Sequence, residues 1–297
     1  METRAPIINR TVLMTDTDNF SVVELNSYSD EDIQPDREKA KLEHESIKKA
    51  LRDAGVTVVE RPSPKNCQDG IYVANWAFCG VDKWGQEVAV MGRLPNVRQG
   101  EERPARKILS EMGKRLIIPK WQHYSGQGDT LVAGDTMFFG SGYRSDKEMK
   151  YVLERTFGDR YNVVDVQTIP RLDEHGKPAR NKLSNWRDSY FYDIDLALGV
   201  VRPDMIAWCP EAFQPESAEK IRALEGIKKI EVDLDEALGA FACNFISTGE
   251  TVIMGTGAPK LRLALAKYGI SSVALKIPEI QKGGGSVRCS TLTLDNK

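Results

Sequence analysis

The residues with the clearest chemical potential lie near the end of the chain, where Cys289 follows a glycine triplet at positions 283–285. Glycine adopts backbone angles that are closed to other residues and lets other groups approach closely. The β-prone run at 287–294 predicts that this cysteine lies just after a flexible turn, near the start of a strand. A thiolate in such a place can attack a small molecule. The alternative is a buried, inert cysteine, although a plain core strand does not need three glycines.

The composition narrows the class of protein. The 297 residues carry a formal net charge of −2, with 41% hydrophobic and 28% charged residues. This balance is typical of a soluble protein and argues against a nucleic-acid partner. The sequence has no run of about 18 apolar residues, which argues against a membrane partner.

Cysteine and histidine usage points to the compartment and to the absence of a cofactor. Five cysteines are scattered without a CxxC pair, and the N-terminus has no basic-then-apolar signal, so we expect a cytoplasmic protein with reduced thiols. The three histidines, at 44, 123 and 175, form no ligand cluster, so no metal is expected. The segment Gly126-Gln127-Gly128 lacks a third glycine and opens a predicted strand, so no nucleotide cofactor is expected.

The hydrophobic pattern repeats about five times along the chain. Each unit is predicted to contain two strands, a polar loop, an amphipathic helix and a further strand. The predicted helices span about residues 36–54, 101–112, 146–157, 216–224 and 260–268. Strands that open later units are predicted at 71–74, 130–132, 195–201 and 245–247.

Units of this kind cannot bury their apolar faces alone, so we predict that they pack into a single domain over residues 1–297. Ring closure would make the last strand complete the sheet of the first unit, and the loops after the second strands would gather near one centre. An ordinary doubly wound sheet is the alternative that the pattern leaves open. The polar segment 172–185 is predicted to be an exposed excursion or lid.

Four segments occur in an order that carries a family resemblance. They are Gly126-Gln127-Gly128-Asp129, Gly142-Tyr143-Arg144-Ser145, Asp193-Ile194-Asp195-Leu196 and the GGGSVRCSTL segment at 283–292. Over nearly its whole length the chain resembles the guanidino-group-modifying enzymes, the superfamily of amidinotransferases and dimethylarginine dimethylaminohydrolases. The resemblance implies an α/β fold, a five-bladed α/β propeller with pseudo-fivefold strand–strand–helix–strand repeats. It also implies attack of a cysteine on the carbon of a guanidinium or ureido group.

The resemblance implies a role for several residues. Cys289 aligns with the nucleophile, and Asp129 with the acid that orients the family's histidine or binds the guanidinium. Asp195 and Asp69 align with substrate-binding carboxylates, which can pair with a planar guanidinium. The resemblance assigns the substrate's α-carboxylate to two arginines, Arg144 and Arg98. A turn aspartate and a solvated surface arginine are the ordinary alternatives.

The chain departs from the family at the position of the general acid–base. The family has a histidine there, and this sequence has Asp193. A carboxylate near pKa 4 is a poor proton donor at neutral pH unless burial or a like charge raises its pKa. Asp195, on the same side of a predicted strand, is a candidate for that coupling, and His123 is an alternative proton carrier. Asn75 replaces an acid of the dimethylarginine hydrolases, and an amide also suits a neutral ureido group.

These residues predict a cysteine-dependent hydrolase of a small guanidino or ureido compound related to arginine or citrulline. Two alternatives stay open: an amidinotransferase that passes the amidino group to an amine, and a binding protein that has lost catalysis on the same scaffold. The sequence leaves homo-oligomerisation open.

Overall fold

Five small sheets of three strands each form the framework of the protein. The computed structural model describes residues 8–296, and in each of these sheets the middle strand pairs antiparallel with one neighbour and parallel with the other. Parallel neighbours require a crossover connection, and an α-helix lies between each parallel pair in the chain. The architecture is therefore α/β, and the predicted repetition of five units is present.

The element bounds follow the predicted units closely. The strands are β1 (Thr11–Met14), β2 (Thr57–Glu60), β3 (Ala77–Val81), β4 (Glu87–Met91), β5 (Arg115–Ile117), β6 (Thr130–Ala133), β7 (Thr136–Gly140), β8 (Asn162–Val166), β9 (Leu198–Arg202), β10 (Met205–Trp208), β11 (Lys228–Glu231), β12 (Ile246–Ser247), β13 (Thr251–Gly255), β14 (Ser271–Leu275) and β15 (Leu292–Thr293). The helices are α1 (Arg37–Asp53), α2 (Glu102–Glu111), α3 (Met149–Phe157), α4 (Pro215–Ala223), α5 (Leu234–Ala240), α6 (Pro259–Lys267) and α7 (Pro278–Gln281). The sequence pattern did not predict α5 and α7, which are short and lie between units.

The crossover helices form because apolar side chains recur on one face. In α1, Ala40, Ile47 and Leu51 are buried, and Asp36 caps the helix by accepting a hydrogen bond from the Lys39 amide at 3.1 Å. Such a cap satisfies an amide that has no partner within the helix. None of the helices within residues 8–296 combines the length and apolar character needed to cross a membrane.

The two ends of the chain meet in one sheet. Strand β15 pairs antiparallel with β1, with Val12 opposite Thr293 and Leu13 opposite Leu292. This confirms that the last strand completes the sheet of the first unit. The pairing also fixes Cys289, which lies three residues before β15, relative to the rest of the chain.

We call the strand that pairs antiparallel with the middle strand the first strand of its sheet. The five first strands are β15, β3, β6, β9 and β12, and each begins next to a candidate site residue. Neighbouring first strands lie side by side, with β6 beside β9, β9 beside β12 and β15 beside β3. Each first strand runs antiparallel to its middle strand, so the start of one and the end of the other share an edge of the sheet. This geometry brings residues before the first strands together with residues after the middle strands.

Two strands that the sequence predicted begin later than expected, because a tight turn precedes each of them. Residues Val73–Trp76 form a 3₁₀ turn, and the strand begins at Ala77. Residues Ile194–Leu196 form another, and β9 begins at Leu198. The prediction that Asp193 and Asp195 lie on the same side of a strand was therefore wrong. The Asp129 carboxylate accepts the Ile194 amide at 3.1 Å and so occupies a donor that a strand would use for pairing.

The segment 172–185 is irregular and largely exposed, with Ala179 buried, which confirms the predicted excursion. Residues on the two sides of this segment are joined, because Asp188 accepts a hydrogen bond from Arg171 Nε at 2.9 Å. Just beyond it, the Trp186 ring packs against His123 with centroids 4.4 Å apart. Its function as a lid stays a prediction.

Candidate active site

Cys289 lies in a tight turn, whereas the sequence predicted that it lies near the start of a strand. The Ser290 amide donates to Ser286 O at 3.2 Å, and the Thr291 amide donates to Arg288 O at 3.1 Å. These helix-like bonds use amides that the predicted strand would have paired, so strand pairing is delayed to Leu292. The cysteine is 2% exposed.

The glycine triplet is required by close packing around this turn. A Cβ on Gly285 would lie 2.8 Å from Cys289 Cβ, and one on Gly283 would meet the Tyr72 hydroxyl. Gly284 has a φ of +89°, which side chains rarely tolerate. Its carbonyl accepts a bond from the Tyr192 hydroxyl at 2.6 Å. The triplet therefore lets two tyrosines pack directly against the backbone beside the thiol.

Asn244 holds the cysteine on two sides. Its Oδ1 accepts the amides of Ser286 at 3.0 Å and Cys289 at 3.1 Å, while its Nδ2 lies 3.2 Å from Cys289 Sγ. A fully buried amide that bonds both the turn and the sulfur fixes the direction of the thiol and stabilises its ionised form.

Asp195 is the carboxyl group in contact with the sulfur. Its Oδ2 lies 3.4 Å from Cys289 Sγ, and its buried Oδ1 has no hydrogen-bond partner within residues 8–296. Burial, followed by the charge of Asp193, raises the pKa of Asp195 to about 8. Burial and the same two carboxylates raise the pKa of the Cys289 thiol. An unliganded site therefore favours the neutral thiol beside a neutral Asp195.

Asp193, which the resemblance aligns with the family's histidine, is a hydrogen-bond acceptor in the site. Its Oδ2 accepts Asn75 Nδ2 at 2.8 Å and its Oδ1 accepts the Ser125 hydroxyl at 2.7 Å. Arg144 Nη1 lies 3.5 Å from Oδ2. Three donors therefore converge on the two oxygens of this side chain.

Asp129 supports Asp193 and Asp195 from behind. It accepts the Ile194 amide and, at 2.6 Å, the Ser145 hydroxyl. Burial and then the charge of Asp193 raise the pKa of Asp129 well above its usual range. These contacts fix the turn that carries Asp193 and Asp195.

Arg98 is engaged by protein groups on all three of its guanidinium nitrogens. Nε and Nη2 donate to Glu101 at 2.8 Å each, and Nη1 donates to Asn75 Oδ1 at 2.7 Å. Asp69 Oδ2 lies 3.7 Å from Nε, and burial raises the pKa of Asp69 to about 6. The structure places Arg98 beneath Asn75 and Asp69, where it orients both.

Arg144, in contrast, has donors to spare. Its guanidinium carbon lies 3.8 Å from the centre of the Tyr192 ring, and its ion-pair partner among the described residues is Asp193. It is 7% exposed. Stacking on an aromatic ring fixes the plane of the guanidinium and leaves its edge available to an incoming carboxylate.

None of the three histidines, all of which lie in the described range, contacts Cys289 or Asp195. His44 lies on the buried face of α1, where burial lowers its pKa to about 3. His123 Nδ1 lies 3.2 Å from Asp146 Oδ2 at the surface, and His175 is exposed beside Glu174. The group that contacts the sulfur is the Asp195 carboxyl and not an imidazole.

The structure thus joins all eight residues that the sequence singled out in one network, and it adds others that sequence reasoning missed. Asn244 and Tyr192 are the most important additions. Asn244 interrupts the apolar run Phe241–Phe245 just before β12, and a lone amide in such a run signals a buried hydrogen-bonding role. No sequence signal separates Tyr192 from a core tyrosine.

The fold and the site define a class of protein, and the chain belongs to the superfamily of amidinotransferases and dimethylarginine dimethylaminohydrolases. Within it, the chain belongs to the family described as N,N-dimethylarginine dimethylhydrolase, eukaryotic, which matches residues 10–295.

Curated relatives and solved structures agree with this placement. The dimethylarginine dimethylaminohydrolase of Mycobacterium tuberculosis is 28% identical over 76% of this chain and 66% of its own length. The bifunctional arginine dihydrolase/ornithine cyclodeaminase ArgZ of Synechocystis is 22% identical over 95% of this chain and 37% of its own. The substrate-bound N-terminal domain of ArgZ superposes with a TM-score of 0.82 at 22% identity, covering 96% of this chain and 98% of that domain. The chain therefore spans about two thirds of the mycobacterial relative and about a third of the bifunctional one.

We predict that Asn244→Asp will raise the pKa of Cys289 by about one unit or more, because a carboxylate replaces the donor that faces the sulfur. The acceptor that holds the two turn amides is retained, so the turn keeps its anchor. Thiolate ultraviolet absorbance, titrated against a Cys289→Ala blank, measures this pKa. Asn26→Asp is the matched control, because Asn26 bonds Gly283 O and not the sulfur. A wild-type thiol pKa in Asn244→Asp would contradict the assigned role.

We also predict that Asp195→Asn will flatten the pH dependence of folding stability between about pH 5 and 7. The pKa of Asp195 is raised from its ordinary value to about 8 in the folded state. Between those two values the folded protein binds the extra proton, so stability falls as pH rises, by roughly 1 kcal/mol per pH unit from this group. Urea unfolding at several pH values measures the slope. An unchanged slope in Asp195→Asn would show that Asp195 ionises normally in the fold.

Proposed function

We propose that the protein is a cysteine-dependent hydrolase of guanidino compounds related to arginine. The observation that carries the proposal is the buried contact of the Cys289 thiol with Asp195 and Asn244, in a chain that belongs to the dimethylarginine hydrolase family. Relatives named as dimethylarginine dimethylaminohydrolase and as arginine dihydrolase support the substrate class.

Charge complementarity supports the mode of substrate binding. Asp69 and Asp195 supply carboxyl oxygens for the planar guanidinium, and the free edge of Arg144 takes the α-carboxylate, since guanidinium and carboxylate form paired hydrogen bonds. We assign Arg98 a positioning role and not the carboxylate contact expected from the resemblance, because its nitrogens already bond Glu101 and Asn75.

Binding of a cation would activate the thiol. Its positive charge favours ionisation of both Asp195 and Cys289, whose pKa values burial holds high in the empty site. Asp195 releases its own proton to solvent when the cation binds and, as a carboxylate, then accepts the thiol proton, and the thiolate forms a C–S bond to the guanidinium carbon. Breaking the C–N bond to the leaving amine requires a proton on that nitrogen, which Asp195 returns. Water attacks the resulting thiouronium and gives one proton to Asp195. The C–S bond then breaks to release the thiolate and the neutral ureido product, while the remaining hydroxyl proton passes through solvent to the released amine, which becomes an ammonium ion.

Asp195 suits this proton transfer because its pKa of about 8 lies near the operating pH. The charge of Asp193 is one cause of that value. In this account Asp193 replaces the family's histidine indirectly: it tunes and positions its neighbour, while its own oxygens stay bonded to Asn75 and Ser125. Asp129 fixes the turn on which both acids lie.

We further propose that the five sheets are the blades of a five-bladed propeller with the site at one end of its axis. Adjacent first strands and the joining of the two chain ends in one sheet support this arrangement.

A binding protein without catalysis is the second candidate, and the absence of a histidine from the described site favours it. Such a protein would bind an arginine-like ligand through Asp69 and Arg144 and release no product.

Turnover of arginine and of N,N-dimethylarginine, followed by ureido product and released amine, tests the proposal. We expect the wild type to turn over at least one of them, and Cys289→Ala to lose at least about 10³-fold. Cys209→Ala is the matched control and should keep activity, because Cys209 is a buried cysteine whose sulfur faces Glu211.

We expect Asp193→Asn to move the alkaline limb of kcat/KM to lower pH by about one unit, because removing a like charge eases ionisation of Asp195.

Other results would reject the hydrolase. Wild-type protein that binds these ligands without product, together with new turnover in Asp193→His, would establish the binding protein. Activity that survives in Cys289→Ala would exclude the cysteine mechanism.

A further inference from the structure

A cavity lies along the first strands β6, β9 and β12 and beside residues from both ends of the chain. Its volume is about 300 Å³. Its lining contains none of Asp129, Asp195, Asn244 and Cys289, although Phe245 and Arg288 are their neighbours in sequence. We call it the far cavity; its lining includes Leu131, Leu198, Val200, Phe245, Ile246 and Arg288.

Arg288 contributes a buried cation to the far cavity. It is 6% exposed. Its Nη1 donates to Thr293 Oγ1 at 3.0 Å and its Nη2 to Gln127 Oε1 at 2.9 Å, and both partners are neutral. Its buried Nε has no hydrogen-bond partner among the described residues. A buried charge without a bonded counter-charge is costly, so the guanidinium has both the charge and a free donor for an anion.

The rest of the lining limits which anion fits. Leu131, Leu198 and Phe245 give the cavity apolar walls. Asp295 adds one carboxylate to the lining, and its Oδ1 accepts the Thr11 amide at 3.2 Å. Arg10 adds a second cation to the lining. Two guanidinium groups and one carboxylate leave the lining with a net charge of one positive unit, which matches an anion with one charge better than phosphate.

We propose that the far cavity binds a small organic monocarboxylate, with the carboxylate against Arg288 and the apolar body against Leu131 and Phe245. This is a site distinct from the one that contains Cys289, and it does not depend on turnover.

Occupation of the far cavity would reach the thiol through charge. Arg288 is the residue before Cys289, and its cation lowers the pKa of Asp195. Burial lowers the pKa of Arg288 to about 10, against the opposing influence of Asp195 and Cys289. A carboxylate on Arg288 cancels that cation's field, so it disfavours the thiolate. The ligand would therefore act as an inhibitor that does not compete for the substrate site.

Butyrate is a suitable probe, used on the full chain at constant ionic strength with chloride as the balancing ion. We expect saturable calorimetric binding, a rise in Tm of about 3 °C at concentrations well above Kd, and a loss of Cys289 thiolate of about threefold to tenfold at fixed pH. Thiolate absorbance against the Cys289→Ala blank measures the last effect.

Variants separate this site from general anion effects. Arg288→Gln removes the charge but can still donate, and it should abolish butyrate binding. Val200, a half-buried residue of β9, lines the cavity, so Val200→Trp should fill it and also abolish butyrate binding. This second variant keeps the proposal testable if Arg288→Gln fails to fold. Arg262→Gln, on α6 away from the far cavity, is the matched control and should bind butyrate as the wild type does. No saturable binding to the wild type, or binding that persists in folded Arg288→Gln or Val200→Trp, would overturn the proposal.

Discussion

The arrangement of the site depends on one electrostatic constraint: Asp129, Asp193 and Asp195 lie close together in a buried cluster. The charge of Asp193 raises the pKa of both Asp129 and Asp195, so the cluster does not ionise fully at ordinary pH. The surrounding donors decide how the charge is distributed. Asp193 accepts hydrogen bonds from Asn75 and Ser125 and lies beside the edge of the Arg144 guanidinium. Asp195, in contrast, faces the Cys289 thiol with Oδ2, and its Oδ1 has no hydrogen-bond partner among the described residues. The cluster therefore contains a buried, hydrogen-bonded acceptor next to a carboxyl group with a raised pKa.

The fold supplies what this cluster requires. Repeated units bring the turns before the first strands to one place, and each turn contributes a different group. Tight packing excludes water from these groups, and two glycines outside the triplet make the packing possible. A Cβ on Gly128 would lie 2.7 Å from Asp193 Oδ2, and one on Gly140 would lie 2.5 Å from Asp129 Oδ1. The acids thus press directly against backbone.

Much of this could be predicted from sequence because repetition and glycine leave strong patterns. The helix periodicity identified five of the seven α-helices within residues 8–296. The predicted ring closure correctly implied that the last strand joins the sheet of the first unit. The turns at 73–76 and 194–196 could not be predicted from the hydrophobic pattern, because their apolar residues are buried in the same way as strand residues. The local conformation depends instead on contacts with residues distant in sequence, such as that of Asp129 with the Ile194 amide. The interrupted apolar run around Asn244 indicates a buried amide, but its bond to the Cys289 sulfur could not be predicted, because the two residues lie far apart in sequence. Arg98 and Arg144 look alike in sequence, and only their neighbours, Glu101 for one and the Tyr192 ring for the other, separate a positioning arginine from one with donors free for a ligand.

The most direct measurement of the central claim is the mass of the intact protein, quenched by acid during incubation with arginine or N,N-dimethylarginine. A covalent cysteine mechanism predicts an adduct of one amidino group, mapped to Cys289, that appears with released amine and is absent from Cys289→Ala. Product formed without a detectable adduct on Cys289 during turnover would contradict the account. An adduct on another residue would also contradict it. Stable binding of both compounds with neither adduct nor product would contradict it equally, and would show that the acid cluster holds a ligand without transforming it.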